Sequence, residues 1–287
     1  MSVLDHKIDF AVVLSVKKAN PNGDPLNGNR PRQNYDGHGE ISDVAIKRKI
    51  RNRLQDMGEP IFVQSNDRRT DEFGSLRERA EGNAELQKLL KSKNVSSEAF
   101  AQIACQQWLD VRSFGQVFAF KSDKAGSGVS VGIRGPVSIH PAVSVDPIDI
   151  TSTQITKSVN SESGKERGSD TMGMKHRVES GVYVFYGSIN TQLAEKTGFS
   201  NEDAEKIKQA LVTLFENDAS SARPEGSMEV HTVYWWEHTN KMGQYSSAKV
   251  HRSLTIEPLV EEPKRFEDYK FTVQPLEGLK VETIDGR

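Results

Sequence analysis

A single cysteine, Cys105, among 287 residues leaves no intramolecular disulfide and no multi-cysteine zinc site to build. No apolar run approaches the roughly 18 residues needed to span a bilayer. No apolar leader core follows Met1 either, so the expected setting is cytoplasmic and reducing, away from membranes. Aromatic residues make up only 7% and hydrophobic residues 35% of the chain, with a mean hydropathy of -0.60. Such a chain buries a core but carries long excursions covered by solvent or by partners. An excess of charge of one sign is also missing: the net charge is -2, from 38 basic and 40 acidic residues.

The distribution of charge is uneven. Between Arg30 and Arg53 stand Arg30, Arg32, Lys47, Arg48, Lys49, Arg51 and Arg53 against Asp36, Glu40 and Asp43. The stretches 202–218 and 257–268 are acidic in turn, each with five acids against two bases. A basic sector beside acidic ones suits a protein that meets a polyanion on one side and something else on the other.

Along the chain, 8–17 is a β-branched apolar run and reads as a buried strand, whereas 20–36, with Pro, Gly or Asn at nearly every step, reads as a loop. Ser42 is an N-cap for a helix over 43–57, whose Ile46, Ile50, Leu54 and Met57 form one stripe. Helices are expected over 77–110 with a break at Gly82, and strands over 111–120, 129–145, 181–190 and 228–237. Ser200 caps a second amphipathic helix over 200–217. The stretch 151–177 is polar and glycine-rich, and reads as a protruding, mobile arm. Reduced to its strongest elements, the order is strand, helix, strand, strand, helix, strand. That is the ferredoxin-like arrangement of RNA-recognition modules, an α+β fold interrupted by two long insertions.

Five basic residues in the seven positions 47–53 flank the apolar stripe of the first helix. Held there, Lys47, Arg48 and Arg51 on one margin and Lys49 and Arg53 on the other could displace counterions from a phosphate chain; the plain alternative is a solvated helix face. In the preceding loop, Asn20, Asn22, Asn27 and Asn29 amides with Arg30 and Arg32 suit phosphate and ribose, unless the loop is only a connector. Met172, Lys175 and His176 close the arm, the methionine adaptable enough to wedge against a base. Trp235-Trp236 suggests stacking, although one of the two must point inward from a strand. Tyr183 and Phe185 share a strand face and are read as core.

Catalytic motifs fail. Residues 23–30 have the glycines of a phosphate loop but lack its Lys-Ser/Thr. Residues 128–132 match G-x-S-x-G as text, yet β alternation continues past Ser130 where a nucleophile elbow would turn into a helix. The seven histidines show no ligand spacing, so no metal or cofactor is expected. Tyr35 with His38 leaves one enzymatic alternative, a metal-independent ribonuclease of RNA-recognition type.

Six ordered landmarks carry a resemblance: NPNGDP at 20–25, SDVAIKRKIRN at 42–52, DVRSFGQVFA at 110–119, GIRGPVSI at 132–139, TMGMKH at 171–176 and GFSNED at 198–203. The sequence resembles the crRNA-binding backbone subunit of the type I-C CRISPR surveillance complex (Cascade). Met174 departs from the arginine expected in relatives. The resemblance implies a palm at 1–57, helical fingers at 58–110, palm strands with a connecting web at 111–149, a thumb at 150–177 and the rest of the palm at 178–287. It implies no catalysis, and head-to-tail copies along one crRNA that is held for pairing with a target DNA strand. Partners would include a guide-end cap, a large subunit and a recruited nuclease-helicase. Arg134, within its landmark, and Lys157, on the arm, join the residues above as expected RNA contacts, and repeat-RNA cleavage belongs to the alternative.

Overall fold

The computed structural model of the chain describes residues 2–91, 96–120, 129–156 and 172–287. Strand β1 (Ile8–Ala19) leads through the two-residue strands β2 (Gly23–Asp24) and β3 (Arg30–Pro31) to β4 (His38–Ile41) and helix α1 (Asp43–Asp56). Helices α2 (Leu76–Gly82), α3 (Ala84–Lys91), α4 (Ser97–Gln107) and α5 (Leu109–Phe114) precede the antiparallel pair β5 (Gly115–Phe120) and β6 (Val129–Arg134). Next come β7 (Val137–Ile139), β8 (Ala142–Pro147), β9 (Ile150–Thr156) and the long β10 (Met172–Ile189). The chain continues through α6 (Thr191–Thr197), α7 (Asn201–Val212), β11 (Met228–Glu237), α8 (Ser247–His251), β12 (Leu254–Pro258), β13 (Tyr269–Val273) and β14 (Val281–Asp285).

The result is a mixed α/β fold around a large antiparallel sheet, ordered β14-β11-β1-β10-β8-β4, with β7 and β9 also on β10. β1 sits at its centre, covered on both faces, which is why its sequence runs apolar without alternation. Ile8, Phe10, Val12, Leu14 and Val16 face one core, closed by the α1 stripe of Ile46, Ile50 and Leu54 and by Ile207 and Leu211 of α7. Ala11 and Val13 face a second core, closed by Val250 of α8, Leu254 of β12 and Tyr269 of β13. Both helices start as their caps dictate: Ser42 accepts from the Ala45 amide, and Ser200 forms a reciprocal capping box with Asp203.

A third core is separate. Phe62, Phe100, Trp108 and Val111 pack with Phe118 of β5 and Val131 of β6. Strands β5 and β6 therefore belong with the helices rather than on the large sheet, and the expected division at 110 falls inside this unit. Within it, 109–114 is a short helix where a strand was expected to begin at 111. The buried Asp110 carboxylate accepts from the Phe62 and Val63 amides at 2.7 and 3.1 Å and from Arg51, a demand that a β-pattern cannot express. Gly115 then turns the chain at φ 77°, where a Cβ would stand 2.2 Å from the Ile133 carbonyl oxygen.

Both tryptophans are core residues. Trp235 stacks on Phe10 at 5.6 Å in the first core, and Trp236 lies in the second, so neither is available to a ligand. The expected mobile arm is, over 150–156 and 172–178, a ribbon in which β9 extends β10, with Met172 opposite Thr156 and His176 opposite Ser152. Among the described residues, no helix is long and apolar enough to cross a membrane.

Candidate nucleic-acid interface

Helix α1 does not present a free row of cations. Lys47 pairs with Asp43 at 3.0 Å one turn back, and Arg48 donates to the Val63 carbonyl at 2.6 Å, half-buried, so that desolvation lowers its guanidinium pKa. Lys49 is buried against Asp218 and the Phe215 ring, and desolvation holds its ammonium pKa down to about 8. Arg51 reaches the fully buried Asp110 at 2.9 Å and lies over Phe114, while Arg53 takes Glu216 at 2.9 Å and Thr213 at 2.7 Å. The helix is a fastener: Arg48 and Arg51 tie it to the helical unit, and Lys49 and Arg53 tie it to the segment after α7. Taking one partner from a buried pair costs about 3–5 kcal/mol, more than an exposed phosphate contact returns. The expected contacts at Lys49 and Arg51 are thus occupied by acids 169 and 59 residues away in sequence, which no local pattern reveals.

The asparagines of the first loop shape it. Asn20 donates to the Asn29 carbonyl at 2.7 Å, and Asn22 accepts from the Ser42 amide at 2.9 Å, stapling the loop to the start of α1. Arg32 stands 3.7 Å from Asp24, in a cleft of about 430 Å³ that also holds Arg30, Asn27 and Glu40. Two buried polar atoms, Asn20 Oδ1 and Arg32 Nε, have no hydrogen-bond partner among the described residues.

Arg30 joins the loop to the arm. Its guanidinium donates to Ser152 Oγ at 2.7 Å, and that hydroxyl, having accepted, meets His176 Nδ1 at 2.8 Å. Loop and arm residues expected separately, Arg30 and His176, are therefore brought into one chain through Ser152. Around this junction Lys175 and Arg177 make no side-chain hydrogen bond or ion pair among the described residues. Neither do the exposed Lys17 and Lys18 at the end of β1, where Lys17 registers with Ser180 and Ala19 with Val178 of β10. Strand period places Met172, Met174 and His176 on one ribbon face with Ser152 and Gln154, and Lys175 and Arg177 on the other with Ile155. Met172 and Met174 are 55% and 54% exposed, unusually open for apolar side chains.

Sequence reasoning missed Lys17, Lys18, Arg177 and Ser152. The two lysines ending a buried strand were a usable signal; Ser152 was not, because only the β9–β10 register sets it opposite His176. Arg134, exposed on β6, stands away from the junction beside α6. Lys157 lies outside the described residues. Tyr35 is fully exposed, and His38 Nδ1 is held by the Ser144 carbonyl at 2.8 Å; no hydrogen bond joins the two. Ser130 sits inside β6 with strand on both sides. Among the described residues no group of three or more His, Cys, Asp or Glu could hold a metal.

The family of CRISPR-associated protein Cas7 matches residues 6–274. The CRISPR-associated protein Cas7 of Haloferax volcanii is 27% identical over 229 residues, covering 75% of this chain. The chain spans 66% of the length of that relative. Among solved structures, a chain titled "CRISPR RNA-guided surveillance complex, pre-nicking" superposes with a TM-score of 0.49 at 13% identity, covering 80% of this chain and 78% of its own. Another, titled "CRISPR RNA-guided surveillance complex", superposes at 0.45 and 14% identity, covering 80% and 68%. With the family match running through nearly all of its length, this chain belongs to the Cas7 family of CRISPR-associated proteins.

Proposed function

We propose that the chain is a non-catalytic crRNA-binding backbone subunit of a type I-C CRISPR interference complex, acting in the cytoplasm. Copies polymerise head to tail along the guide, which they hold for pairing with target DNA, alongside a guide-end cap, a large subunit and a recruited nuclease-helicase. The palm is read as ferredoxin-like. Numbered by sequence as β1, the β7–β8 edge, β10 and β11, its core strands lie in the order fourth, first, third, second, which supports that reading.

The observation that carries the proposal is the Arg30–Ser152–His176 junction on one face of the ribbon, with Lys175 and Arg177, which make no ion pair among the described residues, on the other. Lys17, Lys18, Arg30, Arg32, Lys175 and Arg177 would grip phosphates from two sides, and such contacts fix a strand without reading its bases. The two exposed methionines on the ribbon face could then displace a nucleotide at each copy. Specificity would come from pairing with the target strand, as in other guided effectors. A contact between unlike surfaces of successive copies does not close, so the assembly grows until the RNA ends.

The test is assembly length. Purified protein mixed with guide transcripts of increasing length should form particles whose mass, by mass photometry, rises stepwise with RNA length and collapses after nuclease treatment. Particles indifferent to RNA and to nuclease would refute the reading. Cleavage of repeat RNA lost on His38→Ala would replace it with the ribonuclease alternative.

A further inference from the structure

Among the described residues, three other than glycine hold φ in the left-handed region: Lys18 at 52°, Asn29 at 59° and Asn217 at 57°. Such a conformation persists only where the surroundings over-determine it, and it gathers at functional sites. At Lys18 the surroundings include backbone hydrogen bonds to the loop between α7 and β11. The Lys17 amide donates to the Ser227 carbonyl at 2.8 Å and the Asn20 amide to the Ala222 carbonyl at 2.9 Å, bracketing Lys18. Asn20 donates through its side chain to the Asn29 carbonyl at 2.7 Å, so the same bracket reaches the first loop.

The loop that supplies the bracket has few anchors of its own. Residues 219–221 and 224–226 are exposed. The loop closes on itself through paired backbone bonds between Ser220 and Arg223, at 2.8 and 3.1 Å. Among the described residues, the one side-chain hydrogen bond or ion pair that ties 218–227 to the rest of the chain joins Asp218 to Lys49 of α1. Asp218 also accepts from Arg223 Nε at 3.2 Å, so a single carboxylate connects the far side of the loop to the helix. Lys49 is only 6% exposed and Asp218 13%, which leaves their attraction little screened by salt.

We propose that Lys49 is a positioning residue for the nucleic-acid grip: through Asp218 and Arg223 it holds the loop whose carbonyls set Lys17 and Lys18, and it does not touch the strand itself. The inference rests on the nucleic-acid-binding reading above and routes the contribution of α1 through a carboxylate.

Asp218→Asn in the full chain separates this role from plain electrostatics by sign. Deleting an acid beside two cations should strengthen attraction to a polyanion, whereas releasing the loop should weaken it. With Lys17 and Lys18 no longer set, two phosphate contacts at about 0.7 each take about 1.4 from the slope of log affinity against log salt, roughly a tenfold loss near about 0.15 M salt. Fluorescence anisotropy with an end-labelled RNA of about 12 nucleotides should show that loss. Hydrogen exchange should speed up at the Lys17 and Asn20 amides while the rest of β1 stays protected. Lys49→Met should behave alike, and the double variant should lose no more than either single, because the two residues act as a unit. Glu216→Gln, which removes the neighbouring acid that pairs with Arg53, should lower the urea midpoint and leave the slope unchanged. Wild-type or tighter binding by Asp218→Asn, unchanged exchange at Lys17 and Asn20, additive losses in the double variant, or an equal loss in Glu216→Gln overturns the positioning role alone. Should Asp218→Asn fail to fold, the wild type decides: RNA should slow exchange over 219–227 together with 17–20, and protection confined to 17–20 overturns the proposal. A wild-type chain that binds no RNA overturns the nucleic-acid reading together with it.

Discussion

Replacing Arg30, Lys175 and Arg177 with glutamine removes three cations from the two faces of the arm ribbon, Arg30 at its junction with the loop and the other two on the opposite face. Glutamine keeps a hydrogen-bonding end on a stem of reduced length, and none of the three is in an ion pair, so no carboxylate is orphaned. For a single strand, each neutralised phosphate contributes about 0.7 to the slope of log affinity against log salt, so three cations account for about 2 units. Between about 50 and 200 mM salt, a fourfold change, a slope of 2 corresponds to about a 16-fold loss of affinity that the wild type suffers and the variant does not. Fluorescence anisotropy with an end-labelled RNA of about 12 nucleotides, short enough to limit multiple loading, reads that slope directly. The control is Arg51→Gln in α1, which removes one charge and loses a contact to buried Asp110. A triple variant with the wild-type slope, or an Arg51→Gln protein that stays folded and loses as much slope as the triple, would refute the placement of the phosphate grip at the junction.

Further outcomes concern the fold that carries the site. Asp110→Ala leaves Arg51 buried without its partner and two amides unpaired, and should lower stability by about 3–5 kcal/mol in urea titrations; an unchanged midpoint would contradict the fastener role of α1. Gly115→Ala forces a left-handed φ and a 2.2 Å approach to the Ile133 carbonyl, so it should destabilise the helical unit, seen as lost amide protection there while the large sheet stays protected. His231 and His251 both have their pKa lowered, in each case first by desolvation. The unfolded chain therefore takes up protons near about pH 6.5 that the folded chain does not, and stability falls as pH drops through that region and below. Urea midpoints at about pH 7.5 and 5.5 should differ, and His251→Asn should narrow the gap; a wild-type midpoint that rises on acidification would contradict this.

Much of the fold was legible because local physics fixes it. The caps at Ser42 and Ser200, the α1 stripe and the unbroken apolar run of β1 each depend on residues within one or two turns, and each stands where the pattern puts it. The resemblance found in the six landmarks points to the family that matches residues 6–274. What failed to show was everything that depends on partners remote in sequence. The basic run 47–53 has the same letters whether its cations face solvent or acids; Asp110, Asp218 and Glu216 decide it, and they arrive only when helix, helical unit and the turn after α7 pack together. The tryptophan pair could not be divided between ligand and core until α8 and β12–β13 closed over the second face of the sheet.

The sequence by itself determined the buried central strand and the starts of α1 and α7 with their caps, because those follow from hydrogen bonding and apolar spacing along a short stretch of chain. Only the tertiary structure decided which cations are free. Charge is set by residue type, but availability is set by burial and by the nearest opposite charge, and folding assigned the acids to α1 while leaving Arg30 on one face of the β9–β10 ribbon and Lys175 and Arg177 on the other unpaired by any carboxylate among the described residues.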